Sequence, residues 1–310
     1  MVGVDAARRI CREAVRGKDR SAYLLSQYMA GPAQDAYIGM RAFNIETARA
    51  ADSAVEPKVA RIKLEYWKAA IQKIHSATQP DVDPAVVLLH NASQAGASVA
   101  RKYLLTIVQT RESQLAKKPL RNLEDMERFG EGVYSQLNYA SLDILNAMDP
   151  ETADYFRQNP HLDEKATTVA AHIGQASGIA VLLKSLTFYA RAQSWVVLPA
   201  QSLAENHISQ QAVLDAVESG SLSQLPDVQN AVFTAATRAN DHLLTARSIF
   251  EELKQSVGVP QSLLLTAMSA LPVSLYLERL EKVNFNVEKA HGAEWKLPYR
   301  SWRSYKTRKF

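Results

Sequence analysis

The chain has 310 residues, of which 47% are apolar and 22% are charged, and it contains 12 glycines and 12 prolines. These proportions exclude a disordered or fibrous protein and predict a folded, soluble one. The only cysteine, Cys11, excludes an internal disulfide and favours a reducing compartment. The formal charge of +4 is mild and forms no basic stripe through the body, which argues against nucleic acid as a partner and leaves acidic membranes open.

The N-terminal segment, residues 2–15, is rich in arginine and resembles an organelle transit peptide in its charge balance. Its spacing of Ala, Ile and Val also fits an amphipathic helix, which is the structure we predict. No apolar run reaches the roughly 18–20 residues that a bilayer-spanning helix needs, since the best candidate is interrupted by Lys184. We therefore predict that the chain does not span a membrane.

Apolar periodicity, with Pro and Gly at the boundaries, predicts an all-α fold that forms a single domain over residues 1–298. The predicted helices after the first cover residues 33–55, 58–75, 85–91, 98–117, 122–148, about 163 into 174–199, 210–218 and 227–253, with two more between 261 and 282 separated at Pro272. Residues 149–162 are polar and contain two prolines, so we predict a loop there. The only β-like run, residues 195–198, is short and isolated.

The stretch 174–199 is predicted to form the central helix of the fold. Gly174 and Gly178 lie one helical turn apart, with Ala176 and Ser177 between them, and so offer a bare strip for close helix packing. The apolar residues that follow are too broadly distributed for one amphipathic stripe. We therefore expect this helix to be surrounded by other helices.

Asp52 and Glu56 are four residues apart near the end of the helix predicted over residues 33–55, so both carboxylates are expected on one face. Two such oxygen ligands can hold a hard cation that is shared with a phosphate. The structural alternative is a solvated acidic face or an ion pair with Arg49. The sequence alone leaves both interpretations open.

The other motifs in the sequence provide weaker evidence for a function. None of the seven histidines lies in a metal-binding spacing, and we interpret His172 as a hydrogen-bonded core histidine. The chain contains no G-x-S-x-G, P-loop or strand-linked G-x-G-x-x-G, which removes support for hydrolase and nucleotide-binding functions. The aromatic and small residues over 134–144 are predicted to be core.

The C-terminus, residues 299–310, differs from the body because it contains no acidic residue. Such a segment suits peripheral attachment to an anionic membrane or contact with a partner. The alternative is a frayed tail or a segment docked on the domain. Its basic residues are Arg300, Arg303, Lys306, Arg308 and Lys309, and they alternate with Tyr299, Trp302, Tyr305 and Phe310.

Several of these segments together resemble the squalene/phytoene synthase superfamily, which has an isoprenoid-synthase-like helical bundle. MRAFNIETARAADSAVEP (40–57) stands where that family has its first aspartate-rich helix, and ARIKLEYWKAAI (60–71) resembles the helix that follows it. YSQLNYASLDIL (134–145) and the segment 170–199 resemble later helices. The blocks RAFNIETARAADS and HIGQASGI and the final Arg-Ser-Trp-Arg are similar to one branch of the superfamily, the mitochondrial complex I assembly factors.

The resemblance also implies a departure. Active synthases carry a second acidic motif that, with the first, clamps magnesium on a prenyl diphosphate. No carboxylate lies between Lys165 and Glu205 here, and the first motif ends in Glu56 where the synthases usually have Asp. Half of the clamp is therefore missing, and we expect ionisation of a diphosphate to be slow or absent. The positions that correspond to the second motif are Val181, Lys184, Ser185 and Tyr189.

The resemblance therefore implies a non-catalytic protein that assists assembly of respiratory complex I through its subunits or other assembly factors. It places the protein peripherally on the matrix side of the mitochondrial inner membrane, with anionic lipid as a further partner. Two alternatives remain: a prenyl-diphosphate transferase, and a module that keeps the cavity for isoprenoid or lipid binding. No cofactor is expected, apart from magnesium if prenyl-diphosphate binding persists.

Overall fold

The computed structural model describes residues 2–52, 56–78, 80 and 82–310, and within these ranges it contains no β-strand. The α-helices are α1 (Val4–Lys18), α2 (Arg20–Ser26), α3 (Gly31–Asp52), α4 (Pro57–Gln72), α5 (Pro84–Gln94), α6 (Arg101–Ser113), α7 (Leu123–Gly130), α8 (Gln136–Ala147), α9 (Pro150–Gln158), α10 (Pro160–Lys184), α11 (Leu186–Gln193), α12 (Ala200–Glu205), α13 (Gln210–Ser219), α14 (Pro226–Val257), α15 (Gln261–Ala267), α16 (Ala270–Lys282) and α17 (Leu297–Thr307). Short 3₁₀ turns follow α4, α6 and α13, and a π-helical turn, Glu131–Ser135, joins α7 to α8. The all-α prediction is confirmed.

Helix α10 is the centre of the bundle. It packs most extensively against α14 and also contacts α7, α8 and the π-helical turn. The approach is close because two glycines face the π-helical turn and the end of α7. A Cβ atom on Gly174 would lie 2.2 Å from the backbone nitrogen of Ser135, and one on Gly178 would lie 2.2 Å from the Cα of Gly130. The predicted packing strip is confirmed.

The expected burial holds for most apolar residues of α10, but this helix ends at Lys184, and Phe188, on α11, is 51% exposed. Ile173, Ile179, Leu182 and Leu183 are at most 1% exposed. Two stretches, Pro160–Lys184 and Gln261–Lys282, are long and apolar enough to span a membrane by length and mean hydropathy alone. The sequence analysis had found no apolar run of sufficient length. Within this fold they are mostly buried core helices, and such helices commonly meet the same threshold.

The prediction of a loop over residues 149–162 is wrong, because helix α9 lies within it and α10 begins at Pro160. Both prolines occupy the first turn of a helix, where the missing N–H is not needed. The side chain of Asp149 accepts a hydrogen bond from the backbone N–H of Thr152 and so caps α9.

The helix predicted over residues 122–148 is present but is not uniform. Asn122 caps its start as expected, since its side chain accepts a hydrogen bond of 3.2 Å from the Asp125 backbone N–H. The π-helical turn then interrupts the regular α-helical pattern before α8. Such turns are frequent at functional sites, and this one packs against α10 and contains Tyr134.

The C-terminal segment is docked on the domain, which is one of the alternatives left open by the sequence. Helix α17 packs on α16 and α2, and its residues Ser301 and Ser304 are buried. The Tyr28 hydroxyl donates a hydrogen bond of 3.1 Å to Ser301 Oγ. At the chain end, the ring of Phe310 contacts that of Phe250 edge to face at 4.9 Å.

The outer face of α17 and the residues before it form what we call the aromatic–basic surface, comprising Trp295, Tyr299, Trp302, Arg303 and Lys306. The three aromatic side chains are 79%, 61% and 53% exposed, respectively, and the two basic residues are exposed beside them. The basic, aromatic sequence pattern therefore becomes a one-sided surface on a docked helix.

Candidate functional site

One cavity, with a volume of about 1360 Å³, lies between α2, α3, α8, α10, α11 and α16. Five residues singled out in the sequence line it together: Asp52, Val181, Lys184, Ser185 and Tyr189. The first acidic residue and all four positions of the degenerate second motif are thus brought to one place. Between them the wall is largely apolar, with Phe129, Ala180 and Val273 among the lining residues.

Glu56 does not belong to this cavity. Helix α3 ends at Asp52, and Glu56 is the exposed residue that precedes α4, with the extended backbone angles φ −108° and ψ 133°. The expectation that both carboxylates share one helical face is therefore wrong. The physical reason is Pro57, because the ring of a proline disfavours the helical conformation of the residue before it.

Asp52 is engaged with the protein. The hydroxyl of Tyr189 donates a hydrogen bond of 3.3 Å to its Oδ2 atom, and Gln193 Nε2 donates one of 3.2 Å to its backbone carbonyl. The ammonium group of Lys117 lies 5.6 Å from the Tyr189 ring centroid. Asp52 thereby joins the end of α3 to α11. Tyr189, at the last position of the degenerate motif, meets the carboxylate of the first motif directly.

These residues do not fit a magnesium–diphosphate clamp. Magnesium requires oxygen ligands in near-octahedral geometry, with carboxylates as the usual protein donors. Of the candidate positions in the cavity, Asp52 alone carries a carboxylate, while Val181 and Lys184 offer no oxygen ligand. Among the residues that the structure describes, no group of three or more His, Cys, Asp or Glu side chains is arranged to hold a metal ion.

Lys184 faces the cavity from the end of α10. Its Nζ atom lies 4.0 Å from a Glu294 carboxylate oxygen and 4.4 Å from the ring centroid of Tyr276. Burial within the protein lowers the pKa of this ammonium group, and the nearby Glu294 opposes that effect. Glu294 also forms an ion pair with Arg279, which donates hydrogen bonds to the carbonyls of Ala290 and Gly292. This ion pair fastens residues 290–294 beside the cavity.

Two buried arginines that the sequence analysis did not single out also line the cavity. Arg41 is paired with Asp19 at 3.6 Å and donates a hydrogen bond to the Tyr37 hydroxyl. Arg111 is only 5% exposed and donates a 2.7 Å hydrogen bond to Asn44 Oδ1. Arginines are rarely this buried without a specific partner, so these positions mark the polar part of the cavity.

Tyr134 lies in the π-helical turn and also lines the cavity. Burial raises the pKa of its hydroxyl, and the charges of Arg111 and Arg41 act in the opposite direction. The phenol is therefore neutral, and it lines the same cavity as the two arginines and Asp52. The segment 134–144 is largely core, as predicted, but Tyr134 and Asn138 face the cavity.

His172 is hydrogen-bonded, as predicted, but it is partly buried and not a core residue. Its Nδ1 atom lies 2.8 Å from Nδ1 of His242, whose Nε2 lies 2.9 Å from Glu127 Oε1. One of the two facing nitrogens must donate and the other accept. Arg238 completes the cluster through an ion pair of 3.0 Å with Glu127.

Comparisons with known proteins agree with this description. The "NADH dehydrogenase (ubiquinone) complex I, assembly factor 6" of Bos taurus is 27% identical over 286 residues, which cover 92% of this chain and 77% of the relative. A crystal structure of a dehydrosqualene synthase has a TM-score of 0.71 at 11% identity and covers 98% of both chains. The squalene synthase HpnC from Alicyclobacillus acidocaldarius has a TM-score of 0.68 at 12% identity and covers 91% of this chain and 96% of its own.

The two solved structures share the fold of this chain, and they confirm the isoprenoid-synthase-like helical bundle. The family model for squalene/phytoene synthase matches residues 15–303, which is nearly the whole chain. That match includes the first-motif helix, the glycine strip of α10 and most of α17. The chain therefore belongs to the squalene/phytoene synthase family.

Proposed function

We propose that this chain is a non-catalytic member of its family that assists the assembly of respiratory complex I in mitochondria. The relative in Bos taurus carries the name of a complex I assembly factor and aligns with 92% of this chain. The direct partners in this proposal are complex I subunits or other assembly factors.

The proposal that the chain is non-catalytic rests on the partners of the carboxylates in the cavity. Among the described lining residues these are Asp19, Asp52 and Glu294. Asp19 pairs with Arg41, Asp52 accepts a hydrogen bond from Tyr189, and Glu294 pairs with Arg279. Carboxylates held in this way are poorly placed to neutralise a transferring diphosphate through metal ions. The chain therefore keeps the fold of its family without the free carboxylates that metal-assisted ionisation of a diphosphate requires.

The proposal also includes attachment to the matrix side of the inner membrane. The aromatic–basic surface supports it, because tryptophan and tyrosine favour the membrane interface and basic residues favour anionic head groups. Trp295 belongs to this surface and also lines the cavity. The proposed membrane contact would therefore place the cavity opening close to the lipid.

The test is native-gel NADH-dehydrogenase activity of mitochondria from cells that lack the gene for this chain. We expect loss of assembled complex I and full rescue by both the wild-type chain and an Asp52→Asn/Glu56→Gln variant. A Gly174→Val variant should fail, because the added carbons cannot fit beside Ser135. Normal complex I in the deletion cells would contradict the assembly role.

The enzymatic alternative is tested separately with purified protein. Magnesium-dependent release of diphosphate from farnesyl or geranylgeranyl diphosphate would contradict a non-catalytic function. Rescue by the wild type but not by a stable Asp52→Asn/Glu56→Gln variant would point the same way. We expect neither result.

A further inference from the structure

We propose that the outer face of helix α4 is a docking surface for an acidic amphipathic helix of another protein. Val59, Ile62 and Tyr66 define this surface, which we call the α4 face. None of the three lines the cavity. The proposal stands whether or not the partner belongs to complex I, so it does not depend on the assembly role.

The α4 face is apolar and exposed. Ile62 is 70% exposed, and Val59 and Tyr66 are each nearly half exposed. The opposite side of the helix is already covered, because Leu64 and Trp67 are buried and α4 packs against α3 and α6. An apolar patch with a polar rim on the surface of a folded protein marks a site of interaction. Helix α4 therefore has apolar residues on two sides, and the described part of the chain covers only one of them.

The exposed residues have the spacing of a coiled-coil seam. Val59, Ile62, Tyr66 and Ala69 follow one another at intervals of three, four and three residues, and all four are exposed. A second helix with the same spacing can pack its apolar residues between them. The Tyr66 hydroxyl accepts a hydrogen bond of 3.2 Å from the backbone N–H of Asp83, which fixes the ring before a partner arrives. Less side-chain freedom is therefore lost on binding.

The charges around the α4 face select an acidic partner. Lys58 and Lys63 flank the apolar stripe on its two sides and are exposed. Lys73, in the 3₁₀ turn that follows α4, extends the stripe by one turn and is also exposed. Glu65, the one acidic residue in the sequence of α4, is paired with Lys68 at 2.7 Å. Charges beside a helical seam determine which partner helix is accepted, and here they are basic.

Two other occupants fit the α4 face less well. A second copy of this chain, related by a two-fold axis, would bring the same lysines against Lys58 and Lys63, and like charges across an interface are costly. A membrane interface favours exposed tryptophan. The aromatic–basic surface has this residue type, whereas the one tryptophan of α4, Trp67, is buried. An acidic amphipathic helix matches both the apolar stripe and its basic rim.

The experiment uses an Ile62→p-benzoylphenylalanine variant of the full chain, expressed in cells that lack the native gene. After irradiation, the crosslinked peptides are sequenced by mass spectrometry. We expect the crosslink on a segment of another protein that has more acidic than basic residues and apolar residues at helical spacing. The same label at Leu244, an exposed position on α14, should not reach this segment. Crosslinks confined to a second copy, to lipid or to segments without an excess of acidic residues would overturn the proposal, and so would the absence of any crosslink.

Substitutions at the rim test the argument from charge. We expect Lys58→Glu/Lys63→Glu to lower the crosslinking yield at position 62 at least tenfold. Arg157→Glu, at an exposed position on α9, should leave the yield unchanged. If the charge-reversed variant does not fold, the neutral Lys58→Gln/Lys63→Gln variant decides, with a loss of at least threefold expected. An unchanged yield in a folded variant of this pair would overturn the assignment of an acidic partner.

Discussion

Single side chains at the cavity show how its chemistry differs from a metal clamp. Tyr189 stands where the family resemblance places an acid, and its hydroxyl contacts the remaining acid, Asp52, at 3.3 Å. A single hydrogen bond of this kind contributes stability without any ion. Asp52 is then used to hold α3 to α11, which is a structural role through Tyr189 and not the solvated face or the Arg49 ion pair that the sequence analysis considered.

Replacement of Tyr189 by Phe should remove this bond and leave the ring in place. We expect the free energy of unfolding to fall by about 0.5–1.5 kcal/mol, as measured by urea denaturation, because a partly buried hydrogen bond is lost. Tyr299→Phe is the control, since Tyr299 is exposed on α17. Equal stability of the wild type and the Tyr189→Phe variant would show that the contact contributes nothing.

The histidine pair gives stability a dependence on pH. Burial, followed by the proximity of His242, lowers the pKa of His172 below its ordinary value of 6.5, while Glu127 and Glu131 oppose this shift. The unfolded chain therefore takes up a proton near pH 6.5 that the folded chain resists. The stability from this site is complete above pH 6.5 and declines as the pH falls below it.

We expect His172→Gln to flatten the pH dependence of the free energy of unfolding below pH 6.5. The difference from the wild type should be at most about 1.4 kcal/mol per pH unit, which is the limit for one proton. Denaturant titrations at several pH values between 4.5 and 7.5 would measure it. His161→Gln, at an exposed position on α10, should leave the slope unchanged. An identical slope in all three proteins would argue against the assignment.

Some of these residues could be predicted from the sequence and others could not. Asp52 and the four positions over 181–189 were identified through the family pattern, and they do meet at one cavity. Arg111 was missed, although it continues the buried face of Leu104 and Ile107 by one turn. A lone arginine on an apolar helical face is a readable signal. Its unpaired Nε, however, depends on contacts with α3 that no sequence pattern specifies.

At the scale of the element, the contact between α10 and the π-helical turn is set by backbone atoms. A methyl group on Gly174 would lie 2.2–2.3 Å from backbone atoms of Ser135. Because these are backbone atoms, a change of side-chain rotamer cannot relieve the clash. Flexible neighbours accommodate an added carbon, whereas packed backbone must shift as a unit.

Gly174→Ala should therefore be destabilising by about 1–3 kcal/mol or more, in thermal or urea unfolding. Gly17→Ala is the matched control, because Gly17 also lies in a helix but has no atom within 4 Å of the place that a Cβ would take. There, alanine should stabilise the protein by up to about 1 kcal/mol, through its higher helix propensity. Effects of the same sign at both glycines would contradict the packing argument.

Helix boundaries explain where sequence analysis failed. Pro150 and Pro160 suggested a loop, but each follows a polar residue, Asp149 or Asn159, and opens a helix. The same signals that indicate turns also indicate helix starts, and only the packing of the following residues decides between them. The prediction that Glu56 shares a helical face with Asp52 was wrong for the converse reason, since a helix was expected where none continues. Its place before Pro57 already disfavoured a helical conformation, so that error was avoidable from the sequence.

At the scale of the whole molecule, the aromatic–basic surface predicts membrane binding by the native chain. We expect sedimentation with vesicles that contain 20–30% anionic lipid and weak binding to purely zwitterionic vesicles. Binding should fall as salt is raised, because the electrostatic part is screened. Each basic side chain near an anionic surface contributes about 1 kcal/mol.

Substitutions separate the contribution of the aromatic side chains to membrane binding from that of the basic side chains. Trp302→Ser and the double change Arg303→Ser/Lys306→Ser should each weaken binding several-fold while leaving the fold intact, because all three side chains are exposed. Arg157→Ser is an exposed basic control on α9. Binding that is equal for anionic and zwitterionic vesicles would show that this surface does not recognise membrane charge.

The glycine contact of α10 also bears on how the molecule opens. Amide protons in the Gly174–Gly178 turn are shielded by backbone on the neighbouring elements, so their hydrogen exchange should require unfolding of the whole bundle. Residues 290–294 are held near the cavity by Arg279, through its ion pair with Glu294 and its bonds to two carbonyls, and by Lys184. Segments with few buried contacts open locally at much lower free energy. We therefore expect the exposed amides of this segment to exchange through local opening, well before those in the Gly174–Gly178 turn.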